Sequence, residues 1–158
     1  MDKVKRIALV AHDHTKKDME EWVEWNWKEL VNHKIVCTGT TGKLVEETLN
    51  RKIEEEGLPP MKYPVVKLKS GPLGGDMQLG GLISQGEIDI VIFFWDPMFT
   101  QPHDVDVKAL LRITVLYNVP TASNRSTADF IISSELFHKK YAPIPNDFSD
   151  YINRKIHL

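Results

Sequence analysis

Two sets of side chains in this sequence have the types and spacing for chemistry on a small molecule. The first is acid–base: the carboxylates Asp13, Asp76, Asp96 and Asp106, and the imidazoles His12 and His103, stand in polar stretches that follow apolar runs. Taking a proton from a carbon beside a carbonyl needs a carboxylate in a water-poor pocket and a donor that stabilises the enolate formed. Both types are present. The second set binds anions. Thr38-Gly39-Thr40-Thr41-Gly42 lies between an apolar run and a helical pattern. The free N–H groups of a helix start attract phosphate, and glycine lets the backbone come close to it. Ser70-Gly71 is a second small-residue loop and Lys16 a nearby cation. Together they point to a small phosphorylated ligand.

Each of these residues also has a plainer reading. Asp76 fits a helix-start acid, Asp96-Pro97 a strand-ending turn, and Asp104 or Asp106 a helix cap. The Gly/Thr run on its own is equally a capping turn. His14, His33, His138 and His157 read as surface histidines without a role. What favours function is convergence, which depends on the elements that carry these residues.

Short apolar runs alternate with helical patterns along the chain. Strands are expected at 7–11, 34–37, 65–68, 88–95 and around 121–122. The run at 88–95 is the strongest, and apolar residues on both faces are what parallel strands covered by helices require. Met19, Trp22, Val23, Trp27 and Leu30 recur at helical spacing, as do Val107, Leu110, Leu111 and Val115. Further helices are expected at 42–49, 127–132 and, in the tail, 147–156. Such alternation predicts an α/β fold, one domain over residues 1–158, with a parallel sheet between helices. Ligands of open α/β sheets bind outside the carboxyl ends of the strands. His12, the 38–42 run, Ser70-Gly71 with Asp76, and Asp96 through Asp106 all follow strands, so they gather at one sheet edge.

Composition narrows the rest. The chain has 158 residues, 42% apolar and 27% charged, the ordinary balance of a globular protein. A net charge of −2 argues against nucleic acid or an anionic membrane as partner. Cys37 alone forms no internal disulfide, and the 7–11 run is too short for a signal peptide or a membrane span, so a cytoplasmic protein is expected. The 38–43 stretch departs from the nucleotide-binding P-loop, with Cys37 at the first glycine position and Leu44 at the magnesium-binding hydroxyl position. No GxGxxG is present. His12-x-His14 and His103-x-x-Asp106 offer metal ligands. The first pair, however, shares a face only if the extended run continues through His14, where a helix is expected. No cofactor and no metal are expected.

Five stretches in order now resemble the motifs of the methylglyoxal synthase family: 10–14 (Val-Ala-His-Asp-His), 38–42, 70–76 (Ser-Gly-Pro-Leu-Gly-Gly-Asp), 93–97 (Phe-Phe-Trp-Asp-Pro) and 102–110 (Pro-His-Asp-Val-Asp-Val-Lys-Ala-Leu). Ala128-Asp129-Phe130-Ile131 continues the match, which spans about residues 6 to 133. The segment from about 51 to 69 is longer than the family pattern, and the tail after Ser134 carries no motif. The resemblance implies a Rossmann-like three-layer α/β/α domain with a five-stranded parallel sheet. It implies a carbon–oxygen lyase turning dihydroxyacetone phosphate into methylglyoxal and inorganic phosphate. By the same resemblance Asp76 is the base, His103 stabilises the enediolate and moves protons, and Asp96 and Asp106 assist, Asp106 through a link to His103. His12, Lys16, Thr38, Gly39, Thr40, Thr41, Ser70 and Gly71 hold the substrate. A homohexamer, with inorganic phosphate as an allosteric inhibitor, is also implied. Two other classes stay open on the residues alone: a metal-dependent hydrolase of a small phosphate ester, and a non-catalytic domain that senses a phosphorylated ligand.

Overall fold

The structure, a computed structural model, describes residues 1–155. Its strands are β1 (Arg6–Ala11), β2 (Lys34–Thr38), β3 (Val66–Leu68), β4 (Ile90–Phe94) and β5 (Thr121–Ala122). They form one sheet in the order β3-β2-β1-β4-β5, with every pair parallel. The helices are α1 (Lys16–Leu30), α2 (Gly39–Glu55), α3 (Gly75–Ser84), α4 (Asp104–Leu116), α5 (Arg125–Ser133) and a short α6 (Ser149–Ile152).

Side-chain alternation along the central strands divides the core into two layers. Ile7, Leu9 and Ala11 of β1, with Ile90, Ile92 and Phe94 of β4, pack against α1, α2 and α5 through Trp22, Val23, Leu49 and Ile132. Ala8, Val10, Val91 and Phe93 face the other way onto Leu79 and Ile83 of α3 and Val107 and Leu110 of α4. The five-stranded parallel sheet between two helical layers is therefore as expected. Order reverses at β1, whose neighbours are β2 and β4, so the switch point lies where these strands end.

Several boundaries differ from the sequence reading. The second helix starts at Gly39 and runs to Glu55, well past the expected 42–49. Thr41, Gly42, Val45, Thr48, Leu49 and Ile53 are its buried residues, a helical repeat that outlasts the apolar stretch. Its polar end is tied to α1, because Arg51 and Lys52 both pair with Glu24 as well as with Glu55. Much of the unusual 51–69 segment is thus an extra helical turn and the loop after it. The fourth strand is shorter than 88–95; just before it the Asp89 backbone N–H donates to Arg6 O at 2.8 Å, while its carboxylate accepts the Arg6 backbone N–H at 2.8 Å and two guanidinium N–H groups at 3.1 and 2.9 Å. α5 begins two residues early, where the Asn124 side chain accepts the Thr127 N–H at 2.9 Å. Of the expected 147–156 helix only Ser149–Ile152 forms, and its last position lies outside the described residues.

His33 is not a surface residue. It is 5% exposed, accepts the Lys5 backbone N–H on Nδ1 at 3.0 Å and packs edge-on against Phe137. His138 is exposed as expected, and His157 lies outside the described residues. No described helix is long and apolar enough to cross a membrane.

Trp22 anchors the larger layer: it is 1% exposed, meets Phe94 edge-on and donates its indole N–H to Asp129 at 2.9 Å. Trp22→Ala is expected to cost about 3–5 kcal/mol, read as a lower urea midpoint at unchanged slope.

Candidate active site

Four chain segments meet outside the carboxyl ends of β1, β2, β3 and β4, and each is set by local chemistry. His12 follows β1, held there by its N–H to the Phe94 carbonyl at 3.3 Å. The Thr15 hydroxyl closes the same turn, within reach of the carbonyls of both His12 and Phe94. After β2 the chain turns at Gly39 with φ +45°, a left-handed conformation that favours glycine. Gly39 donates its N–H to Lys69 O at 3.0 Å, and a Cβ there would fall 2.7 Å from Ser70 Cα. The two small-residue loops therefore lie backbone to backbone. Beyond β3 a 3-10 turn at Gly71–Leu73 leads into α3, whose first turn carries Asp76. His103 directly precedes α4.

These segments enclose a cleft of about 240 Å³. His12, Lys16, the 38–41 run, Ser70, Gly71, Asp76 and His103 all line it, so the convergence expected from sequence is met by those residues. Asp96 and Asp106 do not line it. The Asp96 carboxyl accepts the Met98 N–H and His14 Nδ1, each at 2.9 Å, which makes it a strand-ending turn as well as a partner of His14. His14 is exposed, as read, but it has that contact. Asp106 sits in the first turn of α4 and donates its backbone N–H to His103 O at 2.9 Å. No hydrogen bond joins its side chain to His103 among the described residues.

Asp13, expected in the acid–base set beside His12, also lines the cleft, as does Gln101, which sequence reasoning missed. Asp13 is ion-paired with Lys16 and is held below the usual carboxylate range by that hydrogen bond. Gln101 lies in a loop whose path no local pattern fixes.

Asp76 and His103 form the heart of the cleft. Asp76 is 2% exposed, and its Oδ2 lies 3.6 Å from His103 Nε2, just beyond a hydrogen bond. Burial pushes the Asp76 carboxyl above the usual carboxylate range; His103 pulls it back, and the Asp106 charge pushes it further up. Burial draws the His12 ring below the ordinary imidazole value, assisted by repulsion from His103. Among the described residues the buried side-chain polar atoms without a partner are His12 Nε2, Asp76 Oδ2 and His103 Nδ1. All three belong to residues of this cleft. Such atoms each cost about 1–3 kcal/mol and call for a reason; a bound substrate supplies one. No group of three or more His, Cys, Asp or Glu is placed to hold a metal ion among the described residues.

A buried carboxyl–imidazole pair facing two abutting small-residue loops at the switch point of a parallel sheet defines a small-molecule enzyme of the α/β class. The MGS-like domain family matches residues 19–123. The chain is 55% identical to the methylglyoxal synthase of Maridesulfovibrio salexigens, over 99% of this chain and 100% of that one. It is 50% identical to that of Coxiella burnetii, over 97% and 99%. The crystal structure of methylglyoxal synthase from Elizabethkingia anophelis NUHP1 superposes with a TM-score of 0.83 at 46% identity, covering 99% of this chain and 95% of that one. The chain belongs to the methylglyoxal synthase family.

Gly71 tests the geometry. A Cβ there would lie 2.5 Å from His103 Nε2 and 3.3 Å from Asp76 Oδ2, and its φ is not in the left-handed region. Gly71→Ala is expected to lower kcat/KM about a hundredfold or more by displacing the pair, with an unchanged circular dichroism spectrum.

Asp76 gives a stability prediction of definite sign. A carboxyl whose pKa is raised on folding destabilises the fold once ionised, and the penalty vanishes below the unfolded-state pKa. Asp76→Asn is therefore expected to unfold at a higher temperature than the parent at neutral pH. The gain should shrink to nothing as pH falls through the ordinary carboxylate range.

Proposed function

We propose that this cleft takes dihydroxyacetone phosphate to methylglyoxal and inorganic phosphate, with residues 1–158 acting as one domain. Asp76 removes a proton from the hydroxymethyl carbon, and the electron pair moves into an enediolate. His103, next to Asp76, stabilises the oxygens and carries protons between them. The enediolate electrons then expel phosphate from the far carbon, breaking its C–O bond and leaving the enol of methylglyoxal, which takes up a proton to give the product. The observation that carries this reading is the convergence of three unpartnered buried polar atoms, from His12, Asp76 and His103, on one cleft.

Orientation decides the outcome of the intermediate. Phosphate leaves only if its C–O bond stands perpendicular to the enediolate plane, where the breaking bond overlaps the π system. The 38–41 loop and Ser70-Gly71 form a cradle pinned backbone to backbone, suited to holding the phosphate out of that plane. Lys16 and Thr40 line the same cleft and supply charge and a hydroxyl for the departing anion, while Thr41 lines it with its hydroxyl donated to the Ala11 carbonyl at 3.3 Å. Asp106 assists by acting on Asp76 through its charge, and Asp96 by holding the chain near His12. The same reading makes the protein a cytoplasmic homohexamer inhibited by phosphate. The exposed Trp25 and Phe130 beside the groove between α1 and α5 are apolar surface that an assembly would cover.

The test is to incubate purified protein with dihydroxyacetone phosphate, with and without chelator, and follow phosphate and dicarbonyl together. Equal release of both in each arm is expected; phosphate without dicarbonyl, or loss of turnover on chelation, would point to ester hydrolysis. Asp76→Asn is expected to abolish turnover while inorganic phosphate still binds by calorimetry, and near-normal activity in that variant removes Asp76 as the base. Because the base acts ionised and its pKa is raised, the acid limb of kcat/KM should fall above the ordinary carboxylate value of about 4, read from a pH–rate profile.

A further inference from the structure

The His12 ring is tied on one side only. Its Nδ1 accepts the Asp96 backbone N–H at 3.2 Å, and the ring packs edge-on against Phe93 at 5.1 Å and His103 at 5.8 Å. A ring nitrogen that accepts an N–H carries a lone pair, so the hydrogen of the neutral ring sits on Nε2. That atom is buried, without a partner, in a residue that lines the cleft. Protonating Nδ1 as well would set one N–H against another at Asp96 and place a cation beside His103. Lys16 opposes that cation too, while Asp96 and Asp13 favour it, and burial is the largest influence against it.

The Asp96 amide is itself held. The carboxyl of the same residue accepts the Met98 N–H at 2.9 Å and the His14 Nδ1–H at 2.9 Å, and the His14 ring meets Phe99 edge-on at 4.8 Å. His12 and His14, two positions apart, thus grip opposite ends of one residue. The strand-ending turn at Asp96 is fixed by the segment it orients.

We propose that His12 meets the substrate as a neutral Nε2–H donor whose tautomer the Asp96 amide fixes, and that His14, through the Asp96 carboxyl, is the positioning residue for that donor. The proposal rests on the reading of the cleft as the site of triose phosphate chemistry. Its value there is chemical. An imidazolium would hand its proton to the enediolate oxygen, and an oxygen so protonated no longer pushes electrons towards the leaving phosphate. A neutral imidazole N–H stabilises the same oxygen by a hydrogen bond and keeps its proton.

Long-range proton–nitrogen correlation on the free, uniformly 15N-labelled protein reads the tautomer without any substitution. Expected is a His12 ring with Nε2 protonated and Nδ1 bare throughout the pH range of activity. A protonated Nδ1 anywhere in the pH range of activity overturns the proposal. His14→Ala is expected to shift or broaden the His12 Nε2–H signal and to lower kcat about tenfold, the low end for loss of a supporting hydrogen bond, with KM moving less. His14→Asn, whose amide can donate to the Asp96 carboxyl in place of Nδ1, should recover most of the rate. Unchanged His12 signals and kcat in His14→Ala would remove the positioning role. Failure of the tautomer with dihydroxyacetone phosphate turnover intact sinks this proposal alone, whereas absence of turnover in the parent protein sinks the reading of the cleft.

Discussion

Everything in the cleft hangs on backbone lying against backbone between the two loops that follow β2 and β3. Gly39 donates to the Lys69 carbonyl and rests on Ser70, and Gly71 leaves just enough room for His103 and Asp76 above it. Side chains at either position would push apart the two loops or displace the Asp76–His103 pair. The sheet makes this approach possible: β1 is flanked by β2 and β4, so the loops leaving these strands open onto one crevice. The helices then fill in the chemistry, α3 delivering Asp76 and α4 following His103.

The cleft is maintained against its own energetics. A carboxylate held 2% exposed and three buried polar atoms without partners are costs that a structure optimised for stability alone would shed. They are offset by a core in which both layers are closed: Trp22 and Leu49 on one face of the sheet, Leu79 and Val107 on the other, are at most 1% exposed. Strain of this electrostatic kind persists because the surrounding packing leaves the groups nowhere else to go.

Much of this was legible from residue order. Residues 7–11 of β1 and 90–94 of β4 carry no polar side chain on either face, which marks them as central parallel strands, and the chemistry-bearing residues fall straight after strands. What could not be read depends on distant partners. The end of α2 is polar and becomes helix because Glu24 of α1 meets Arg51 and Lys52. His33 looks like any surface histidine until Lys5 and Phe137 enclose it. Asp96 has the residue type of an acid–base group, yet its carboxyl is taken by Met98 and His14, a fact about a turn that no spacing encodes.

One feature at the mouth of the cleft bears on which molecules get in. The cation Lys16 is already neutralised by Asp13, a carboxylate that is 90% solvent-exposed and tethered on the same turn. An incoming anion must displace a competitor whose local concentration, set by the short tether, is very high. A monocarboxylate offers the lysine nothing that Asp13 does not already provide. A ligand with more than one negative charge has more to offer Lys16 than Asp13 does, so the ion pair at the mouth raises the charge an incoming group needs.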